Sequence, residues 1–323
     1  MSNPIVRWAH AIFLFVIVAL GPATLVTGQE TVRVAVPLLP TTALPQILAS
    51  DKGFFQKRGL RTEFIRINSE PTTYQALISG DVQATSGAPV GLVLSHLQGV
   101  DLVALGSWQN LVPYTIATRE KITDLSQLKG RKVGINRFGG RSALIVRVML
   151  EDAGLDSTKD VTLLQLGGSQ ERLAALLSGG IDAGPVEATL EPKITSLGLF
   201  LYRAKRTPFM TSPTVVKRSY LQSNRGTMKR FMEAYLEGIQ HLKQNKEDSM
   251  RTLARILSTN EKQVLDHAYD DIIATMEPSL IPPPESINNL LKMVAYTDKR
   301  AISVRPEKIL DFSLLEEIRS SQK

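Results

Sequence analysis

No cysteine occurs among the 323 residues, and that absence removes disulfides, thiolate nucleophiles and every cysteine-based metal site together. It also removes a lipid-modified N-terminal cysteine. Histidine is scarce, at four, and no HExxH, GxSxG or phosphate-loop pattern occurs, so motifs assemble neither a nucleophile with its base nor a metal or cofactor site. His96, His241 and His267 fall on helical stretches away from the strand-end loops, which leaves a non-enzymatic role as the expectation. Long blocks of like charge are missing too. The 38 basic and 31 acidic residues leave a scattered excess of +7, which favours acidic partners without pointing to nucleic acid. With 43% hydrophobic and 21% charged residues, and with 22 Gly and 17 Pro spread along its length, the chain is globular and long enough for two lobes.

The one long apolar run, Ala11 to Leu20, follows Arg7, is broken by Gly21-Pro22, and ends near the small residues before Gln29. A membrane span needs roughly 20 apolar residues, so this pattern reads as a cleaved secretory signal over residues 1–28, with a retained anchor as its alternative. A protein exported without a cysteine to acylate is expected to diffuse freely in a bacterial periplasm.

Beyond the signal, β-rich runs alternate with helical ones, as in parallel sheets covered by helices. The first half reads as strands Val32 to Leu38, Arg61 to Ile67 and Val82 to Ser86, with helices Leu44 to Lys57 and Thr72 to Ser79 between them. The middle repeats the plan, with strands Lys132 to Asn136, Val161 to Leu166 and Ile181 to Ala183, and helices Ser142 to Ala153 and Gln170 to Leu177. Ala76-Leu77-Ile78-Ser79-Gly80 even matches Ala175-Leu176-Leu177-Ser178-Gly179, and each glycine falls where a helix C-terminus needs a left-handed residue. Tyr114 to Thr118 and Thr207 to Val216 read as the two crossings between halves. The helices from Met228 to Tyr296 are expected to complete the first lobe with no site chemistry of their own. The fold class is thus α/β with two lobes, each a βαβαβ-based open sheet with flanking helices. Lobe 1 spans 29–115 and 215–323, and lobe 2 spans 116–214. Ligands of open α/β sheets bind beyond the carboxyl ends of the strands, so a cleft between the lobes is the expected site.

The run DKGFFQKRGL at Asp51 to Leu60 resembles a signature of solute-binding proteins of the sulfonate, taurine and nitrate type, a family that includes thiamine-precursor binders. The likeness continues through Ala76 to Val82, Asp124 to Gly134, and Gly180 to Ala183 with Glu191-Pro192 beyond. This resemblance implies a type II periplasmic-binding fold whose lobes close on a small solute and present it to an ABC importer. Its implied partners are a small-molecule solute and an inner-membrane permease, with no nucleic acid, no cofactor and a monomeric chain. Two alternatives share the fold: a sensor that presents its liganded form to a membrane receptor, and an enzyme like the pyrimidine synthases, which rely on cysteine and histidine residues that do not occur here.

Thr41 and Thr42 fall in the family's ligand-facing loop, or else cap the Leu44 helix. Ser69, Glu70, Gly87 and Ala88 lie in the other strand-end loops of the first half. In the second, Asn136, Arg137, Gly139, Gly140, Arg141 and Ser142 form the best anion cradle: glycines admit close backbone approach, the hydroxyl donates, and either guanidinium can fork onto a carboxylate, sulfonate or phosphate. Facing the cleft, Glu70 and Glu187, the latter assigned to the last loop of the second lobe, would repel an anion and favour an amine or hydroxyl-rich solute; the alternatives are that Glu70 is simply a first-turn acid of its helix and that Glu187 pairs with Arg137, Arg141 or a cationic part of the ligand. Trp108 either stacks on a ligand ring or is a core indole.

Overall fold

A computed structural model describes residues 29–36, 40–67, 69–111, 114–138, 141–187, 190–203 and 208–321. The signal segment and the Gly139-Gly140 pair lie outside the described residues. The first half runs β1 (Glu30–Val36), α1 (Leu44–Asp51), β2 (Leu60–Arg66), α2 (Glu70–Ser79), β3 (Ala84–Ser86), α3 (Pro89–Leu97) and β4 (Leu102–Ser107). The second runs β5 (Tyr114–Thr118), β6 (Lys132–Ile135), α4 (Arg141–Asp152), β7 (Thr162–Gln165), α5 (Ser169–Ser178), β8 (Ala183–Glu187), α6 (Glu191–Ser196) and β9 (Phe200–Tyr202). The chain then returns through β10 (Pro213–Lys217) to α7 (Arg218–Ser223), α8 (Arg225–Gln244), α9 (Lys246–Leu257), α10 (Lys262–Thr275), α11 (Pro284–Ala295) and α12 (Ser313–Ser320). No helix of the described residues is long and apolar enough to cross a membrane.

Two five-stranded sheets result, in the orders β2-β1-β3-β10-β4 and β7-β6-β8-β5-β9. The plan is the same in both. Three strands are parallel, as the alternating pattern predicts, and a fourth runs antiparallel beside the third. That antiparallel strand is in each case the segment that has just crossed from the other half: β5 pairs with β8 and β9, and β10 with β3 and β4. The runs expected to be crossings therefore include strands built into the sheets, and the chain changes sheets just before Tyr114 and just before Pro213.

Gly80 and Gly179 end α2 and α5 with φ of +93° and +78°, and their N–H groups close onto the carbonyls of Ala76 and Ala175. The matched pentapeptides are thus matched caps. The expected helix from Leu44 to Lys57 is shorter than its apolar run suggested. It stops at Asp51, because a turn through Gly53 at φ +73° swings Phe55 inward to stack on Phe231 with ring centroids 5.0 Å apart.

One face of the first sheet is covered by α1, α8, α9, α10 and α12, whose core includes Leu48, Phe55, Phe231, Tyr235, Ile272 and Leu314. Helix α8 lies so close to α1 that a Cβ at Gly238 would stand 2.2 Å from the Pro45 carbonyl oxygen. The other face carries α2, α3 and α11, and there one apolar cluster joins Leu92, Leu290 and Met293 to Val146, Met149 and Leu150 of α4. Helix α11 packs against both α3 and α4, so this C-terminal helix touches both halves instead of completing the first alone.

Candidate functional site

The first sheet's strand-end loops are knitted together by polar contacts. Thr42, in the 3-10 turn Pro40–Ala43, accepts at its carbonyl from Ser86 Oγ at 2.9 Å and from Trp108 Nε1 at 2.7 Å. Its own hydroxyl donates to the Ser86 carbonyl, and α1 has no side-chain cap, so Thr42 ties two loops together instead of capping the helix. Thr41 beside it is half-buried. Trp108 corrects one expectation. Its indole is completely buried in the core, so no ring face is open to stack on a guest, and its N–H fixes the Thr42 turn from behind.

Two successive left-handed residues, Gly87 at φ +93° and Ala88 at φ +61°, turn the chain from β3 into α3. For alanine that conformation is strained by about 1–3 kcal/mol and needs support. Tyr74 supplies it, donating its hydroxyl to the Ala88 carbonyl at 2.7 Å. Burial, with the Glu70 charge behind it, pushes the Tyr74 pKa well above its ordinary value, so the hydroxyl remains a donor. Ser69 caps α2 by accepting from the Thr72 N–H. Glu70 in the first turn accepts from the Gly91 N–H at 2.5 Å, linking the starts of α2 and α3.

In the second sheet, Asn136 N–H donates to Oγ of the buried Ser142, and its side-chain oxygen accepts from the Arg137 N–H, which fixes the exit from β6. Arg141 is the first residue of α4. Glu187 is a second correction: it is the exposed last residue of β8, opposite Tyr114 in register, and the strand runs through most of the stretch assigned to a loop. The antiparallel pairing to β5, invisible in local sequence, extends β8.

Arg137, which follows a strand of the second sheet, and Glu70, on a helix of the first half, lie at one cavity. Both line a cavity of about 400 Å³, together with Tyr74, Gln75 and Ile78 of α2 and Val90, Gly91, Leu94 and Gln98 of α3. Its walls are largely apolar, with a guanidinium, a carboxylate and two amides among them. Such a mixture suits a small organic molecule with one polar head.

A second contact between halves was not foreseen. The Glu191 carboxylate, at the start of α6, is 4% exposed; it accepts from Thr115 Oγ1 and from Arg203 Nε at 3.1 Å. His267 of α10 places Nε2 3.3 Å from the same carboxylate. The Glu191-Pro192 pair was visible in the sequence, but nothing local to it or to the α10 helix signals that they meet. No group of three His, Asp or Glu side chains suited to a metal occurs among the described residues.

Comparison with known proteins agrees with this architecture. The model of the NMT1/THI5-like family matches residues 41–249. A Haemophilus influenzae protein named for thiamine biosynthesis is 31% identical over 140 residues, spanning 42% of this chain and 43% of that protein. The periplasmic aliphatic sulphonate-binding protein SsuA of Escherichia coli superposes with a TM-score of 0.70 at 18% identity, over 86% of this chain and 91% of its own. The periplasmic nitrate-binding protein NrtA of Synechocystis superposes with a TM-score of 0.64 at 16% identity, over 91% and 89%. The fold is the two-lobed one of periplasmic binding proteins.

Proposed function

The chain belongs to the NMT1/THI5-like family, and from that premise we propose that it is the solute-binding component of an ABC importer, working in the periplasm after removal of its signal segment. The solute is a small organic molecule, anionic or heterocyclic, of the sulfonate, nitrate or thiamine-precursor type. Its permease is the implied partner and one chain the working unit. The observation that carries this reading is the cavity lined at once by Glu70 of the first lobe and Arg137 of the second. A ligand there touches both lobes, and only a ligand with different affinities for the open and closed states can shift them. Arg137 supplies a fork for a negatively charged head, while the Glu70 carboxylate, already held by the Gly91 N–H at the helix starts, keeps that head on the Arg137 side of the cavity. Of the residues expected at the site, Glu70 and Arg137 line this cavity, while Thr41, Thr42, Ser69, Gly87, Ala88, Asn136 and Ser142 are not among its lining residues. Among the described residues no histidine lines the cavity, and we read the protein as a binder and not a catalyst.

The test is a thermal-shift screen of alkyl sulfonates, nitrate, aromatic acids and pyrimidine precursors. A solute at 100 times its Kd adds about 2.7 kcal/mol to the unfolding free energy. Arg137→Ala and Arg141→Ala are each expected to weaken an anionic hit by at least about tenfold, which is about 1.4 kcal/mol. A panel without any shift, alongside turnover of one of its members, defeats the reading in favour of an enzyme.

A further inference from the structure

The Glu191 carboxylate is built into lobe 2 and meets lobe 1 at a single described side chain. On its own side it is held by Thr115 of β5 and by Arg203 just after β9. The imidazole that faces it stands on α10, which belongs to lobe 1: Leu265, Ala268, Tyr269 and Ile272 sit in that lobe's core, and Tyr269 donates to the Leu242 carbonyl at 3.0 Å. Near its C-terminal end α10 is also tied to the first crossing, where Gln109 Nε2 donates to Thr275 Oγ1 at 3.0 Å. Both sides of the contact are therefore rigid parts of different lobes. His267 Nε2 is itself buried and makes no aligned hydrogen bond to any described group, although Glu191 Oε2 is 3.3 Å away. What the structure shows is a close polar approach of the imidazole edge to the carboxylate, without a hydrogen bond between them. An imidazole on one lobe and a carboxylate on the other can stand this close only when the lobes are together, so opening must break the contact.

We propose that His267 is a positioning residue for lobe closure, the lobe 1 half of a latch whose lobe 2 half is Glu191. The proposal rests on the hinged closure argued above and names the contact that holds it. With the lobes apart, Glu191 retains Thr115 and Arg203, so its lobe stays folded and the latch alone is lost. Removing the imidazole should accordingly shift the balance between open and closed without unfolding the protein.

Because the natural chain has no cysteine, a labelled pair can be introduced cleanly. Ser219→Cys on α7 and Ala174→Cys on α5 are exposed positions on different lobes. Spin labels at these sites report the interlobe distance by pulsed electron resonance, on the full chain alone and with methanesulfonate, nitrate or hydroxymethylpyrimidine. We expect the closed-to-open ratio to fall about tenfold in His267→Ala, with most of it restored in His267→Gln, whose amide keeps a polar group on the same side. Equal closure in His267→Ala and the parent overturns the latch, as does loss in His267→Gln as complete as in His267→Ala. A parent distribution with no closed component in any sample overturns it as well. If the His267→Ala effect is seen in the ligand-free chain while no solute alters the parent distribution, the latch stands and the solute-binding reading fails.

Discussion

A methyl group at Gly91 probes the packing on which the candidate site depends. Its Cβ would lie 2.4 Å from Cδ2 and Cε2 of the Tyr74 ring, and that ring is 4% exposed, so it has nowhere to swing. Overpacking of this kind costs about 1–3 kcal/mol. Displacing the ring also breaks its hydroxyl contact with the Ala88 carbonyl, a further 0.5–1.5 kcal/mol or so. Against this, alanine is better than glycine inside a helix by about 1 kcal/mol. The balance for Gly91→Ala is a loss of roughly 2 kcal/mol, or about 4–8 °C in melting temperature by the scaling for domains of 150–250 residues. Urea and thermal denaturation would measure it. Gly226→Ala provides the control, since that glycine is also helical and has nothing within 4 Å of its Cβ. In a Tyr74→Ala background, Gly91→Ala should lose its penalty, because the two residues couple through one contact. If Gly91→Ala is as benign as Gly226→Ala in the parent, or as harmful with Tyr74 removed, the packing argument is wrong.

Gly238→Ala should be harsher, because its Cβ meets a backbone oxygen of Pro45 that cannot rotate away; we expect a loss at or above the roughly 3 kcal/mol upper end of overpacking, seen as a reduced urea midpoint. Asp248 makes acid stability testable: the Lys52 ammonium beside it, helped by His241, lowers its pKa to about 2. A carboxyl lowered in the folded state stabilises above its unfolded value of about 3.9 and loses that contribution as pH falls toward 2. Asp248→Asn should therefore lower the melting temperature at pH 7 and match the parent near pH 2, and a gap unchanged over that range would contradict the assignment.

Much of the architecture was legible because it depends on local periodicity and on punctuation. Ser79-Gly80 and Ser178-Gly179 announce matched helix ends, and the left-handed glycines confirm them. What stayed hidden depends on pairing across the chain. Tyr114 to Thr118 and Thr207 to Val216 read as crossings, the second with a strand-like Thr214-Val215-Val216, yet β5 and β10 become inner strands because the neighbouring strands leave a free edge for each. The site divides the same way. Glu70 and Arg137 could be named from loop position, whereas the burial of Trp108 and the meeting of Glu191 with His267 depend on tertiary packing that no window of sequence contains. Helix α3, Pro89–Leu97, is read from the sequence only as the helical stretch that carries His96, and its place as one wall of the cavity depends on packing against α2.

The contacts between lobes also differ in kind, and the difference bears on where opening must pivot. Along α11 the join is apolar: Leu290 and Met293 share a cluster with Met149 and Leu150 of α4, and all four are nearly or wholly buried. Parting them would return side chains to water at about 1.5–3 kcal/mol each when fully exposed. At the other join the groups are polar. Glu191 keeps its partners within lobe 2 when His267 withdraws, and water can hydrogen-bond the freed imidazole. Arg137 is already exposed at the mouth of the cavity, so withdrawing it from the Glu70 side uncovers little apolar surface. If the lobes open as proposed, the lower-energy route keeps α4 on α11 and separates the polar edge at Arg137 and Glu191.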